Sequence, residues 1–94
     1  MTAFFWSAVL VVGTEQAVVE VELGEATPAK SPEWGGLLRG VPVRLAAEMR
    51  QGVRSRLRLA DGQERSVRPV GVPWMSDQGF LIVAFLGEGT APTG

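Results

Sequence analysis

Between Val53 and Arg68 the chain reads VRSRLRLADGQERSVR, and this segment limits the possible folds more than any other. Val53, Ser55, Leu57 and Leu59 share one face of an extended chain, and Arg54, Arg56 and Arg58 share the other, because successive side chains of a strand point to opposite sides. A helical period of 3.6 would mix the two sets. The sequence Ala60-Asp61-Gly62-Gln63 is a hairpin signal, since Asp-Gly tolerates the positive φ of a tight turn. Residues 64–70 then return as a second strand, which Pro69 confines to an edge or an end. A hairpin with one apolar face must be covered by the rest of the chain.

The remaining segments supply more strands. Residues 3–12 are apolar almost throughout and rich in valine and aromatics, which suits a strand covered on both faces. After a turn that uses Gly13, residues 17–23 alternate, with Val19, Val21 and Leu23 on one face and Val18, Glu20 and Glu22 on the other. Residues 24–36 read as loop, limited by Pro28 and Pro32, with Trp34 folding back over the core. Residues 37–41 suit a short strand. Residues 42–52 carry the marks of one short helix: Pro42 at its first turn, Gly52 as its stop, and Leu45 and Met49 four apart on the core side. Residues 71–79 read as another loop, residues 80–86 as a final strand with Trp6 in the core it helps to build, and residues 90–94 as a frayed tail. The sum is one domain over residues 1–94, mainly β, expected as a small antiparallel β-barrel of five or six strands with one short α-helix.

Composition narrows the chemistry. The chain has no histidine, cysteine or tyrosine, which removes the commonest general base, the usual zinc ligands and any disulfide. Glu20 and Glu22 point the same way but are too few for a metal centre. Gly87-x-Gly89 is not followed by a helix, so it is not a phosphate cradle. No catalytic residue, metal or cofactor is expected, and the chain is expected not to be an enzyme. The apolar start has no preceding basic residue and is shorter than a membrane span, so a cytoplasmic protein without membrane contact is expected.

Charge is segregated. Residues 1–38 hold five glutamates and one lysine, whereas residues 39–68 hold all eight arginines with three acids. Arg54, Arg56 and Arg58 form a candidate basic face. It could meet nucleic acid, or it could pair across the sheet with Glu20 and Glu22. Internal pairing is preferred, because residues 53–68 lack the aromatic platforms of single-strand binders. Trp34, Trp74 and Met75 are candidates for a partner or ligand surface, where such residues are enriched.

In order along the chain, Trp34-x-Gly36-x-Leu38, Leu45, Gly52, the arginine-bearing hairpin, Trp74, Gly79 and Gly87-x-Gly89-x-x-Pro92 resemble a family of small bacterial domains of unknown function. These occur alone or attached to flavin-dependent monooxygenases. The resemblance spans roughly residues 8–92, implies an all-β accessory domain and carries no catalytic residue over; Gly35 and Thr93 stand where the family is often aromatic. Three readings remain open: a non-catalytic accessory or interaction domain that binds a partner protein or assists an oxidoreductase, expected as a homodimer; a nucleic-acid-binding barrel that uses the arginine face; and a binder of a small apolar ligand near Trp34 and Trp74.

Overall fold

The protein is described by a computed structural model that covers residues 4–23 and 34–89, with the side chains of Phe4, Phe5 and Trp6 not described. The expected core position of Trp6, most of the expected 24–36 loop and the expected tail at 90–94 lie outside the described residues. The elements are β1 (Phe4–Val12), β2 (Glu15–Leu23), β3 (Trp34–Arg39), α1 (Val43–Arg50), β4 (Ser55–Arg58), β5 (Glu64–Met75) and β6 (Leu81–Gly87). All strand pairs are antiparallel, and they close a barrel in the order β1-β2-β3-β6-β5-β4.

Local chemistry sets the turns. Val12 pairs with Glu15, so the first hairpin has a two-residue loop. Gly13 has φ 60°, and Thr14 stays at negative φ, the pattern of a type II′ turn whose twist matches the flanking strands. In the β4–β5 hairpin Gly62 takes φ 91°, and the Asp61 carboxylate accepts the Gln63 backbone N–H at 3.0 Å, as an Asx turn requires. Alternation then sorts the side chains. Leu10 and Val12 of β1, Val19 and Val21 of β2, Leu38 of β3, Leu57 of β4, Val67 of β5, and Val83 and Phe85 of β6 fill the interior.

The two mouths of the barrel are stopped by different means. β3 and β4 lie on opposite sides of the ring, so the connection between them must cross one mouth. It does so as α1, which lays Leu45, Ala46 and Met49 into the core beside Val41. At the other mouth stands Trp34, the first residue of β3. Its ring packs on Phe85 edge to face at 5.8 Å, and its indole N–H donates to the Gly89 carbonyl at 3.1 Å. Gly87 lies beneath that ring, where a Cβ would come within 2.2 Å of it. Gly36 is tighter in a different way, since a Cβ there would sit 1.9 Å from the Glu22 carbonyl oxygen.

Two sequence expectations need correction. The strand expected to end near residue 70 runs on to Met75, with a register shift between Val70 and Trp74. Gly71, at φ 71°, takes up the irregularity, and the strand resumes past Pro73. Trp34, Gly35 and Gly36, expected in a loop, belong to β3. Its two glycines permit close approach to both neighbouring strands.

The glycines at Trp34 and Glu22 give a direct test. Gly36→Ala should lower the unfolding free energy by about 2–3 kcal/mol, because backbone cannot rotate away from the new methyl group. Gly87→Ala should cost about 1–2 kcal/mol, as the Trp34 ring can tilt. Denaturant unfolding checks both, and unchanged midpoints would contradict this packing.

Candidate functional site

With the interior filled, any binding chemistry must lie on the outside of the barrel. The arginine row is there. Arg56 and Arg58 project from β4 and both reach Glu64 on β5, Arg56 at 3.2 Å and Arg58 at 2.8 Å. Arg58 and Glu64 are directly paired across the hairpin. Arg56 and Arg58 are therefore paired internally, but not by the expected partners. β1 stands between β4 and β2, so Glu20 and Glu22 are out of reach. Glu22 instead takes Arg39 of the adjacent β3, at 2.7 Å. Arg44 of α1 pairs with Glu15 of β2, and Arg54 is exposed, just before β4 begins.

The arginine stems have a second use. Val9 lies beside Arg58, and Val11 beside Arg56, in the β1–β4 register. Directly opposed side chains sit about 5 Å apart, so the methylene stems lie along these outward valines. Val11 is buried although it faces away from the core.

The three candidate surface residues do not form one site. Trp34 stops a mouth and packs on the core. Trp74 and Met75 lie at the far end of the β5–β6 hairpin and are 44% and 56% exposed. Trp34 pairs with Gly87 on β6, whereas Trp74 pairs with Ile82, five residues or about 17 Å further along the strand. Trp74 and Val70 stand opposite Ile82 and Ala84 on the outward face of the hairpin, whereas Met75 stands opposite Leu81 on the other face; Val70, Val72 and Phe80 of the same hairpin are exposed as well. The sequence carried a signal for this group. Val70, Val72 and Trp74 alternate, but Gly71 and Pro73 between them read as loop. The hairpin tip is held by Ser76, whose N–H donates to the Phe80 carbonyl at 2.7 Å and whose hydroxyl accepts the Phe80 N–H at 3.0 Å.

A cleft of about 630 Å³ opens beside this hairpin. Ser7, Val18, Glu20 and Arg39 line it from the barrel wall, and Gln78, Phe80 and Ile82 from the hairpin. Among the described residues no group of three or more His, Cys, Asp or Glu side chains could hold a metal, and no helix is long and apolar enough to cross a membrane.

These features define a closed six-stranded antiparallel barrel with a filled interior and an apolar hairpin projecting beside an outer cleft. Compared with protein-family models, curated proteins and solved structures, the chain has no match.

The ion pairs predict a pH response. Hydrogen bonding from Arg58, aided by the charges of Arg56 and Arg58, holds the Glu64 carboxyl below its ordinary pKa despite some desolvation. Asp61 is lowered too, first by the Gln63 backbone N–H. A lowered folded-state pKa gives stability that is present above the unfolded-state value and is lost as pH falls through the folded one. Thermal stability should therefore decline on acidification below the ordinary carboxylate range. Glu64→Gln should flatten that decline and cost little near neutrality, as expected for exposed pairs. An identical acid profile for the variant would contradict the assignment.

Proposed function

We propose that the protein is a non-catalytic interaction module that docks another protein on the exposed apolar residues of its β5–β6 hairpin. One observation carries this reading. Seven large hydrophobic residues are exposed among the described residues, and five of them, Val70, Val72, Trp74, Met75 and Phe80, belong to this hairpin and its tip. Apolar residues scattered singly are normal on a surface, but their concentration on one hairpin supports an interface there. Tryptophan and methionine are enriched at such sites.

The sequence resemblance supports a flavin-dependent oxidoreductase as the class of partner. In the isolated protein the same surface meets a second copy, giving a homodimer with two-fold symmetry. The absence of histidine, cysteine and tyrosine supports a role without catalysis. The pairing of Arg56 and Arg58 with Glu64 weighs against nucleic acid. The separation of Trp34 from Trp74 weighs against a small ligand held between them.

Sedimentation equilibrium tests the reading. The wild type should dimerise at micromolar concentration, and the double variant Trp74→Ser, Met75→Ser should remain monomeric with its unfolding midpoint nearly unchanged, since both side chains are exposed. The reading fails if the wild type stays monomeric up to about 1 mM and the double variant binds a partner as well as wild type does. Dimerisation that the double variant retains would place the contact elsewhere.

A further inference from the structure

The cleft beside the hairpin holds an unequal set of charges. Glu20 and Glu22 project from the outer face of β2, and one guanidinium, Arg39, faces them from β3. Arg39 lies directly opposite Glu20 in the strand register, yet it turns to Glu22. Its Nε and Nη2 donate to the same carboxylate oxygen of Glu22, at 3.2 and 2.7 Å. Glu20 is left exposed and without an ion-pair or hydrogen-bond partner among the described residues. Two carboxylates thus share one cation, and the unmatched carboxylate is the one that lines the cleft.

The surroundings of Glu20 are apolar. Val18, two residues before it on the same face of β2, is 72% exposed. Phe80 stands on the hairpin side, 52% exposed, and Ile82 forms a buried floor. An aromatic face near a carboxylate is the arrangement that holds an organic cation: the ring attracts the charge through its quadrupole, and the carboxylate accepts its hydrogen bonds. Val18 and Ile82 offer cover for an alkyl stem. The Ser7 hydroxyl and the Gln78 amide, both exposed in the cleft, can meet the main chain of an extended segment. An anion would meet Glu20, and the neighbouring guanidinium is already engaged by Glu22.

We infer that this cleft receives a basic side chain, arginine or lysine, from an extended apolar segment of the partner protein. The inference rests on the reading of the hairpin as a docking surface. Ile82, the floor of the cleft, pairs with Trp74 across the hairpin, so a chain anchored on Trp74 passes the cleft directly. The apolar hairpin gives the contact area, and Glu20 selects for a cation beside it.

Titration of the ¹⁵N-labelled protein with acetyl-Leu-Arg-Leu-amide tests the inference. The peptide should shift the amide signals of Val18, Glu20, Phe80 and Ile82 saturably. The citrulline peptide, equal in shape but uncharged, should bind about tenfold more weakly, since an ion pair and a cation–aromatic contact are both lost. Glu20→Gln should bring the arginine peptide down to the citrulline level with the rest of the spectrum unchanged, and Phe80→Leu should weaken it severalfold. Equal affinity for the arginine and citrulline peptides, tighter binding of acetyl-Leu-Glu-Leu-amide, or no saturable shift at the cleft would overturn the inference. Those outcomes leave the sedimentation behaviour of the Trp74 and Met75 variant untouched, so failure of the cleft is distinguishable from failure of the hairpin reading.

Discussion

The pairing of β1 with β4 decides what the outside of this protein can be. Leu10 lies opposite Leu57, and Val12 opposite Ser55. With that ladder in place Val9–Val12 of β1 and the whole of β4 have a strand on both sides, and the inward residues of all six strands face one interior. β1 is apolar on both faces, which in an open sheet would demand a second layer or a neighbouring molecule. In the closed barrel its inward side is core, and its outward valines lie under the stems of Arg56 and Arg58. The same arginines are then fixed by Glu64. One hairpin thus closes the barrel, covers outward valines of β1 and pairs two of its own arginines with its own Glu64.

Closure also creates two mouths, and the sequence is specialised at each. The connection from β3 to β4 has to cross the ring, and a short helix with three buried residues makes that crossing useful. At the opposite mouth Trp34 requires glycine at 87, and β3 requires glycine at 36 to lie close against β2. These glycines are needed for room, whereas Gly13 and Gly62 are needed for their positive φ. The longest stretch with a strand on one side only is in β5. β4 pairs only residues 64–67 of β5, so among the described residues Arg68 to Met75 has β6 on one side and no strand on the other. Pro69 and Pro73 interrupt that exposed edge, and proline has no N–H to offer an added strand. The hairpin is therefore poorly suited to strand addition and well suited to side-chain contact.

What could be read from the sequence follows the range of the interaction involved. The alternation in residues 17–23 and 53–59, the Asp-Gly turn and the helix at 42–52 are local patterns, and the structure keeps all of them. The barrel could be inferred because short connections and two-sided apolar strands leave few other solutions. The partners of the arginines could not, because they depend on strand order around the ring: Glu64, six residues from Arg58, wins over Glu22, which belongs to the wrong side of β1. The extent of β5 was hidden by Gly71 and Pro73, which punctuate loops far more often than strands. The cleft was hidden for the same reason. Ser7, Glu20, Arg39 and Phe80 come from four separate segments, and only the register brings Glu20 opposite Arg39.

The account holds that the barrel closes within one chain and that the hairpin is the apolar surface left over. Amide hydrogen exchange, followed by NMR in the monomeric concentration range, measures closure directly. The account predicts slow exchange for the amides that face each other across the β1–β4 seam, Val9, Val11, Arg56 and Arg58, at rates like those of Val19 and Val83, and fast exchange for residues on the open side of β5 between Val70 and Met75. Rapid exchange along β4 and the facing amides of β1, with protection kept in β2, β3 and β6, would mean an open sheet and would contradict it.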